Sequence, residues 1–163
     1  MDFVVCEVDF TKAGQQVRCP NRLNLPAASG VMSPMTPSAI SIQQLGPNDL
    51  QLMHGMLSLF GEAFGDHATY GEARPSGAYL ERLLCDSTFF AIAAVADGGV
   101  VGALAAYELR KFEQERSEVY IYDLAVAETH RRRGIATMMI DELRRLAAER
   151  GAYVIFVQAD YGD

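Results

Sequence analysis

The 163-residue sequence predicts one α/β domain, a mixed sheet flanked by helices, in the order β-α-α-β-β-β-α-β. Two observations carry that expectation. An apolar strand at residues 119–126 runs through a basic turn into an amphipathic helix and then a second apolar strand at 153–157. This pattern marks a helical crossover between parallel neighbours. Ahead of it, apolar runs at 89–95 and 100–107 flank Asp97-Gly98-Gly99, a strong signal for an antiparallel hairpin. Parallel and antiparallel pairs in one domain make a mixed sheet.

Residues 1–39 lack sustained periodicity and contain Pro20, Pro26, Pro34 and Pro37. No basic segment precedes an apolar core, so they do not read as a signal peptide. They are expected to form a flexible leader, with Met32 and Met35 as alternative starts, ahead of a folded domain at 40–163. Residues 40–45 partly alternate and predict a first strand. Gly46-Pro47-Asn48 stops it, and Asn48 or Asp49 can cap the helix that follows. Leu50, Met53, Leu57, Phe60 and Phe64 keep helical spacing, while Gly55 and Gly61 each weaken that helix by roughly 1 kcal/mol relative to alanine. Residues 65–75 read as a loop. Ser76 can cap a short second helix through Leu84, with Tyr79, Leu80, Leu83 and Leu84 apolar.

The strand at 119–126 carries a local irregularity. Val119 and Ile121 are apolar at period two, as are Leu124 and Val126, but the two pairs lie three residues apart. A β-bulge absorbs the extra residue if both pairs face one core; a strand buried on both faces needs none. A bulge leaves backbone groups unpaired, and a ligand with amides of its own can pair with them.

His130-Arg131-Arg132-Arg133-Gly134 follows. Backbone N–H groups at a helix N-terminus favour anions, and Gly134 lets a phosphate approach closely because it has no Cβ. Arg131, Arg132 and Arg133 add positive charge; a solvated basic turn is the plain alternative. A P-loop fits poorly, with one glycine and Ile135 where the lysine belongs, and no G-x-G-x-x-G follows the strand. An acyl-coenzyme A site is the leading reading. It would be lined by Leu124, Ala125 and Val126 of the strand and by Arg131, Arg132, Arg133, Gly134, Ile135, Ala136 and Thr137. The helix presents Ile135, Met139, Leu143, Leu146 and Ala147 on one face, with Asp141 and Arg145 spaced for an ion pair and Gly151 suited to the stop.

Arg131-x-x-Gly134-x-Ala136 matches the Q/R-x-x-G-x-G/A signature of the GCN5-related N-acetyltransferase superfamily. The element order is also that superfamily's. More narrowly, the stretch from about Leu57 to Asp163 resembles its aminoglycoside 3-N-acetyltransferases. The segments that carry this likeness are 59–66, 102–107, 111–114, Arg116-Ser117-Glu118-Val119-Tyr120-Ile121-Tyr122-Asp123-Leu124-Ala125-Val126, and Gln158-Ala159-Asp160-Tyr161-Gly162-Asp163. The resemblance implies acetyl-CoA as cosubstrate, a splayed central strand pair, direct acetyl transfer to the 3-amino group of a deoxystreptamine ring, and antibiotic resistance. In that family the chain continues beyond the position of Asp163 into a further helix and strands. That segment supplies a tyrosine usually cast as general acid. The expectation is therefore a domain lacking its C-terminal part, with an exposed edge at 153–159.

Composition agrees with a single soluble domain: 50% hydrophobic residues can bury one sizeable core. No apolar run approaches the roughly 20 residues that span a bilayer. The three cysteines, Cys6, Cys19 and Cys85, form no disulfide framework or metal spacing, which suits a reducing compartment, the cytoplasm. No metal is expected. Cys85 reads as a small core residue. The net charge is −7, and charges within residues 1–38 cancel, so the excess lies on the rest. Glu108, Glu113, Glu115, Glu118, Asp123 and Glu128 crowd around one strand. Acidic surface steers cationic ligands and repels nucleic acid, although solubility alone explains many acidic proteins. The expected partner is a cationic small-molecule amine, with no nucleic acid and no membrane; a homodimer is left open.

The chemistry needs a base to take a proton from the bound ammonium and donors to stabilise the oxyanion. Asp123 is the expected base, at the proposed bulge in an otherwise apolar strand that raises its pKa; the resemblance points to the same residue. A carboxylate that only binds substrate ammonium or caps backbone is the alternative, and Glu118 acting through water is the second candidate. The N–H of Leu124 or Val126 would polarise the carbonyl. Tyr122, Glu118, Asp160 and Asp163 are expected to bind substrate. Two further readings stand beside this one: acetylation of polyamines or peptide amines, and an acyl-CoA-binding domain without turnover.

Overall fold

The computed structural model describes residues 3–9 and 39–160. In chain order the elements are β1 (Phe3–Asp9), β2 (Ser41–Gln44), α1 (Leu50–Phe64), α2 (Gly77–Leu84), β3 (Phe89–Ala96), β4 (Gly99–Arg110), β5 (Ser117–Val126), α3 (Ile135–Glu149) and β6 (Ala152–Asp160). The strands form one mixed sheet in the order β1-β6-β5-β4-β3-β2. Neighbours are antiparallel except β5 and β6, which are parallel and joined by the α3 crossover. The mixed α/β class and its element order are those of the sequence reading, with β1 added.

Strand β1 is the correction. Phe3–Asp9, assigned above to a leader, pair antiparallel with β6 from Phe3↔Asp160 to Asp9↔Val154. The outer edge of β6 is therefore not open. A β-rich run, Phe3-Val4-Val5-Cys6, supplies the backbone groups that an edge strand would otherwise leave unpaired. Residues 10–38, with Met32 and Met35, lie outside the described residues.

Helices cover both faces of the sheet. On one face α3 buries Ile135, Met139, Leu143, Leu146 and Ala147, the five residues its periodicity selects, against Phe90, Ile92, Leu104, Val119, Ile121 and Ile155. On the other, α1 and α2 pack Met53, Met56, Leu59, Phe60, Leu80 and Leu84 onto Phe89, Ala91, Ala93, Ala103, Ala105 and Ala125. The buried face of α1 centres on Met56 and Leu59 instead of Leu57 and Phe64, and Phe64 is 47% exposed. This helix is apolar around most of its circumference, so spacing alone does not choose the face.

Local chemistry sets the ends. Asp97 and Gly98 both have positive φ, 51° and 76°, the geometry of a type I′ hairpin turn between β3 and β4. The Ser76 hydroxyl accepts from the Tyr79 N–H at 3.3 Å and caps α2. Gly102 on β4 lets α3 sit low on the sheet. A Cβ there would stand 2.9 Å from Ile135 Cγ2 and 3.0 Å from Met139 Cε. The expected Asp141–Arg145 pair does not form: Arg145 binds Glu142 and Glu149, and Asp141 pairs with Arg144. Cys85 is exposed at the end of α2, not in the core.

Candidate active site

The site grows from the bulge. Across β4, Ala105 pairs with Asp123 and Ala106 with Ile121, so Tyr122 is the extra residue. Val119 and Ile121 are buried in the α3-side core, and Leu124 and Val126 pack against the same core. Both apolar pairs face one core, so of the two readings of this strand the bulged one is correct. The bulge leaves Tyr122 62% exposed and Asp123 half-buried.

Beyond the bulge the parallel pair opens. Pairing of β5 with β6 runs from Ser117↔Ala152 to Ile121↔Val157 and ends there, although both strands continue. The Ala127 N–H donates to the Val101 carbonyl of β4 at 2.9 Å. Alternation along the strand then turns the N–H groups of Ala125 and Asp123 toward β4, and those of Val126 and Leu124 toward the side that β6 has left. The Val126 carbonyl on that side accepts from Arg131 Nε at 3.2 Å. A cleft of about 240 Å³ lies here, lined by Leu59, Glu62 and Ala63 of α1 and by residues 126–129 and Arg131.

The turn that follows is braced. Besides Arg131, Arg133 donates to the Thr129 carbonyl at 3.1 Å, so two of the three arginines tie the turn to itself, while Arg132 is exposed with φ 62°. Gly134 takes the N-cap of α3 with φ 77°, and a Cβ there would meet nothing within 4 Å. No side chain caps this end and no acidic residue stands in the first turn. A 15-residue helix thus presents its N-terminal N–H groups, around Ile135, Ala136 and Thr137, beside an open backbone. A phosphate group fits that geometry, and the strand end that β6 no longer pairs with suits an extended amide-bearing arm.

Asp123 meets Tyr70, whose hydroxyl donates to Oδ2 at 3.0 Å. Burial pushes the Asp123 carboxyl above its ordinary range, and the Tyr70 hydrogen bond pulls it part of the way back. Tyr70 itself is held well above the usual phenol range, first by burial and then by the Asp123 carboxylate. Tyr70 belongs to a single π-helical turn, Ala68–Glu72, that interrupts the expected loop. No periodicity marks this residue, and sequence reasoning missed it. Tyr122 joins a row of rings across the sheet: Phe89 to Tyr107 at 5.0 Å, Tyr107 to Tyr122 at 5.9 Å, Tyr122 to Tyr120 at 6.0 Å and Tyr120 to Phe156 at 5.1 Å.

Glu118 is not brought to Asp123. It pairs with Leu109 five residues along the strand, about 16 Å away at the usual rise. Its carboxylate is held by Arg116 at 3.0 Å and Lys111 at 3.6 Å. Asp160 ends β6, with its side chain outside the described residues, as is the whole of Asp163. Among the described residues, no group of three His, Cys, Asp or Glu is placed to hold a metal ion.

The bulged strand, the splayed pair and the open helix N-terminus coincide with a family match. The acetyltransferase (GNAT) family model covers residues 54–162. The chain belongs to that family. Its members transfer acetyl groups from acetyl-CoA. An aminoglycoside acetyltransferase, HMB0005, from an uncultured soil metagenomic sample is 60% identical, with 76% of this chain and 82% of that one covered at a TM-score of 0.74. A second, meta-AAC0020, also from an uncultured soil metagenomic sample and solved with sisomicin, is 31% identical over 74% of this chain and 78% of its own, at a TM-score of 0.69. A ribosomal-protein-alanine N-acetyltransferase from Brucella melitensis biovar Abortus 2308 is 27% identical over 76% and 82%, at a TM-score of 0.59. No curated protein sequence matches the chain.

Proposed function

We propose that this acetyltransferase modifies an amine of an aminoglycoside, the 3-amino group of the deoxystreptamine ring, and so confers antibiotic resistance. The observation that carries the reading is the 60% identity to HMB0005, an aminoglycoside acetyltransferase, over most of both chains. The crystal structure of meta-AAC0020 with sisomicin supports a polyamine sugar as the substrate class.

The geometry supports a role for each residue. Asp123 takes the proton from the bound ammonium, since burial raises its pKa and makes its carboxylate a stronger base. The N–H groups of Leu124 and Val126, turned into the cleft, polarise the thioester carbonyl and hold its developing charge. Ala125 belongs to the same strand end. Arg131, Arg132 and Arg133, with Gly134, Ile135, Ala136 and Thr137, receive the pyrophosphate. Acetyl-CoA supplies the acetyl thioester: the amine nitrogen bonds the carbonyl carbon, the C–S bond breaks, and the remaining amine proton ends on the departing sulfur, so that coenzyme A leaves as the thiol. Tyr122, exposed beside Asp123, offers a ring face to the cationic substrate, and Asp160 and Asp163 supply carboxylates to its other ammonium groups. Glu118, held in its ion pairs with Lys111 and Arg116, does not act as the base.

Likeness to a ribosomal-protein-alanine acetyltransferase favours a peptide amine as the second reading. The experiment is the NMR spectrum of the product formed from gentamicin and acetyl-CoA. Acetylation on the 3-nitrogen is expected. Acetylation elsewhere on the ring system would overturn the position, and exclusive acetylation of peptide N-termini would overturn the substrate class.

A further inference from the structure

The turn between α1 and α2 is built with unusual care for a segment that bears no regular pattern. Asp66 Oδ1 accepts from the Thr69 N–H at 3.0 Å and starts the turn. The Tyr70 carbonyl accepts from Arg74 Nε at 3.3 Å, and Arg74 reaches back to the Ser58 hydroxyl on α1 at 2.7 Å. The Tyr70 ring packs against Phe60 and Phe64, with centroids 5.8 and 5.9 Å away. Backbone, guanidinium and ring contacts all fix one side chain, and its hydroxyl ends on Asp123.

We infer that Tyr70 is a positioning residue for the acetyl transfer: its hydroxyl holds the Asp123 carboxylate in one orientation by engaging one of its two oxygens. This rests on the reading of Asp123 as the base. The hydrogen bond engages Oδ2 and leaves Oδ1 to accept from a substrate. A phenol O–H donates to a carboxylate but gains little from a carboxylic acid, so the contact favours the charged form. It opposes the burial that favours the neutral one. The other titratable and charged groups near this pair are Asp66 on the turn, Tyr107 on β4, Tyr122 on β5 and one cation, Arg74, which is held on the Tyr70 carbonyl and the Ser58 hydroxyl. Glu62 of α1 and His67 line the small cleft beside Tyr70. No cation acts on Asp123 from any of these elements. Tyr70 is therefore the group that counters desolvation there.

The test is Tyr70→Phe, which keeps the ring and removes only the hydroxyl. Two titrations are read. One is the Asp123 carboxyl carbon by NMR on aspartate-labelled protein, assigned with Asp123→Asn. The other is the acid limb of kcat/KM for gentamicin. Both are expected to move up by about one pH unit, the size of one hydrogen bond to a charged group, with coenzyme A affinity unchanged. An unmoved carboxyl titration would overturn the inference, even if activity fell, because a purely structural tyrosine lowers activity at every pH alike. A carboxyl that moves while the limb stays put leaves Tyr70 coupled to Asp123 and removes Asp123 as the base, so the two failures differ. If Tyr70→Phe does not fold, a fluorotyrosine at the same position, a stronger donor of the same shape, is expected to shift both titrations down; no shift would overturn the inference.

Discussion

Asp123 is a carboxylate on a strand whose neighbours are apolar, and its energetics set what the site can do. Because folding raises its pKa, ionising it costs stability: the folded protein holds the proton to higher pH than the unfolded chain does. That cost is absent below the unfolded pKa and grows to its full size as pH rises through the folded one. Asp123→Asn removes it while keeping an acceptor for Tyr70. The thermal midpoint of Asp123→Asn is therefore expected to equal or exceed that of the parent, turnover to fall by at least 100-fold (on the order of a general-base contribution), and coenzyme A affinity to stay the same. A lower midpoint would show that the charge is stabilising. Unaltered turnover would take Asp123 out of the base role. Part of this was legible from four side chains: the spacing of Val119, Ile121, Leu124 and Val126 offered a bulge between Ile121 and Leu124, beside the alternative of a strand buried on both faces, and Asp123 lies at that bulge. Tyr70 was not legible, because its turn has no apolar period and its partner lies 53 residues away.

Among the elements, α3 matters most to the proposed cofactor site, and its seat is set by Gly102. Gly102→Val would drive a branched side chain into Ile135 and Met139, whose nearest atoms already lie within about 3 Å of where a Cβ would go. Overpacking of this kind costs about 1–3 kcal/mol. Since Ile135 is the first residue of the helix, the shift should also move its N–H groups and weaken coenzyme A binding. Chemical denaturation and calorimetry on one variant test both, and a destabilised protein with unchanged affinity would separate the seat from the site. Gly134→Glu acts more directly, setting a carboxylate against the phosphates at a residue with φ 77°. At least a tenfold loss of coenzyme A affinity is expected; equal affinity would exclude this turn as the pyrophosphate site. The α3 face was readable since its apolar residues repeat on one side only. The α1 face was not, because Leu52, Met56, Leu57 and Leu59 offer several equivalent stripes.

At the scale of the whole molecule, charge and sheet closure dominate. Some of the acids that crowd β5 are neutralised locally: Glu113 and Glu118 by Lys111 and Arg116, and Glu108 by Arg150, which also stacks on Phe90. The steering field therefore comes from the remaining excess, and it is screened by salt. KM for a cationic aminoglycoside should rise several-fold between 50 and 500 mM salt, with kcat little changed. A salt-independent KM would mean that contacts inside the cleft do the recognition alone. Two pairings of the central sheet, β3 with β4 and β5 with β6, were legible from one hairpin and one crossover. Strand β1 was not, because a short apolar run and four alternating residues are too little to set it apart from the aperiodic, proline-bearing stretch that follows.

Thiol release from acetyl-CoA by the purified chain, with gentamicin and spermidine supplied separately, tests the central claim most directly. Release is expected with gentamicin and not with spermidine, since only gentamicin carries the deoxystreptamine ring. Equal release with spermidine, or none with gentamicin while coenzyme A still binds, would contradict an aminoglycoside acetyltransferase.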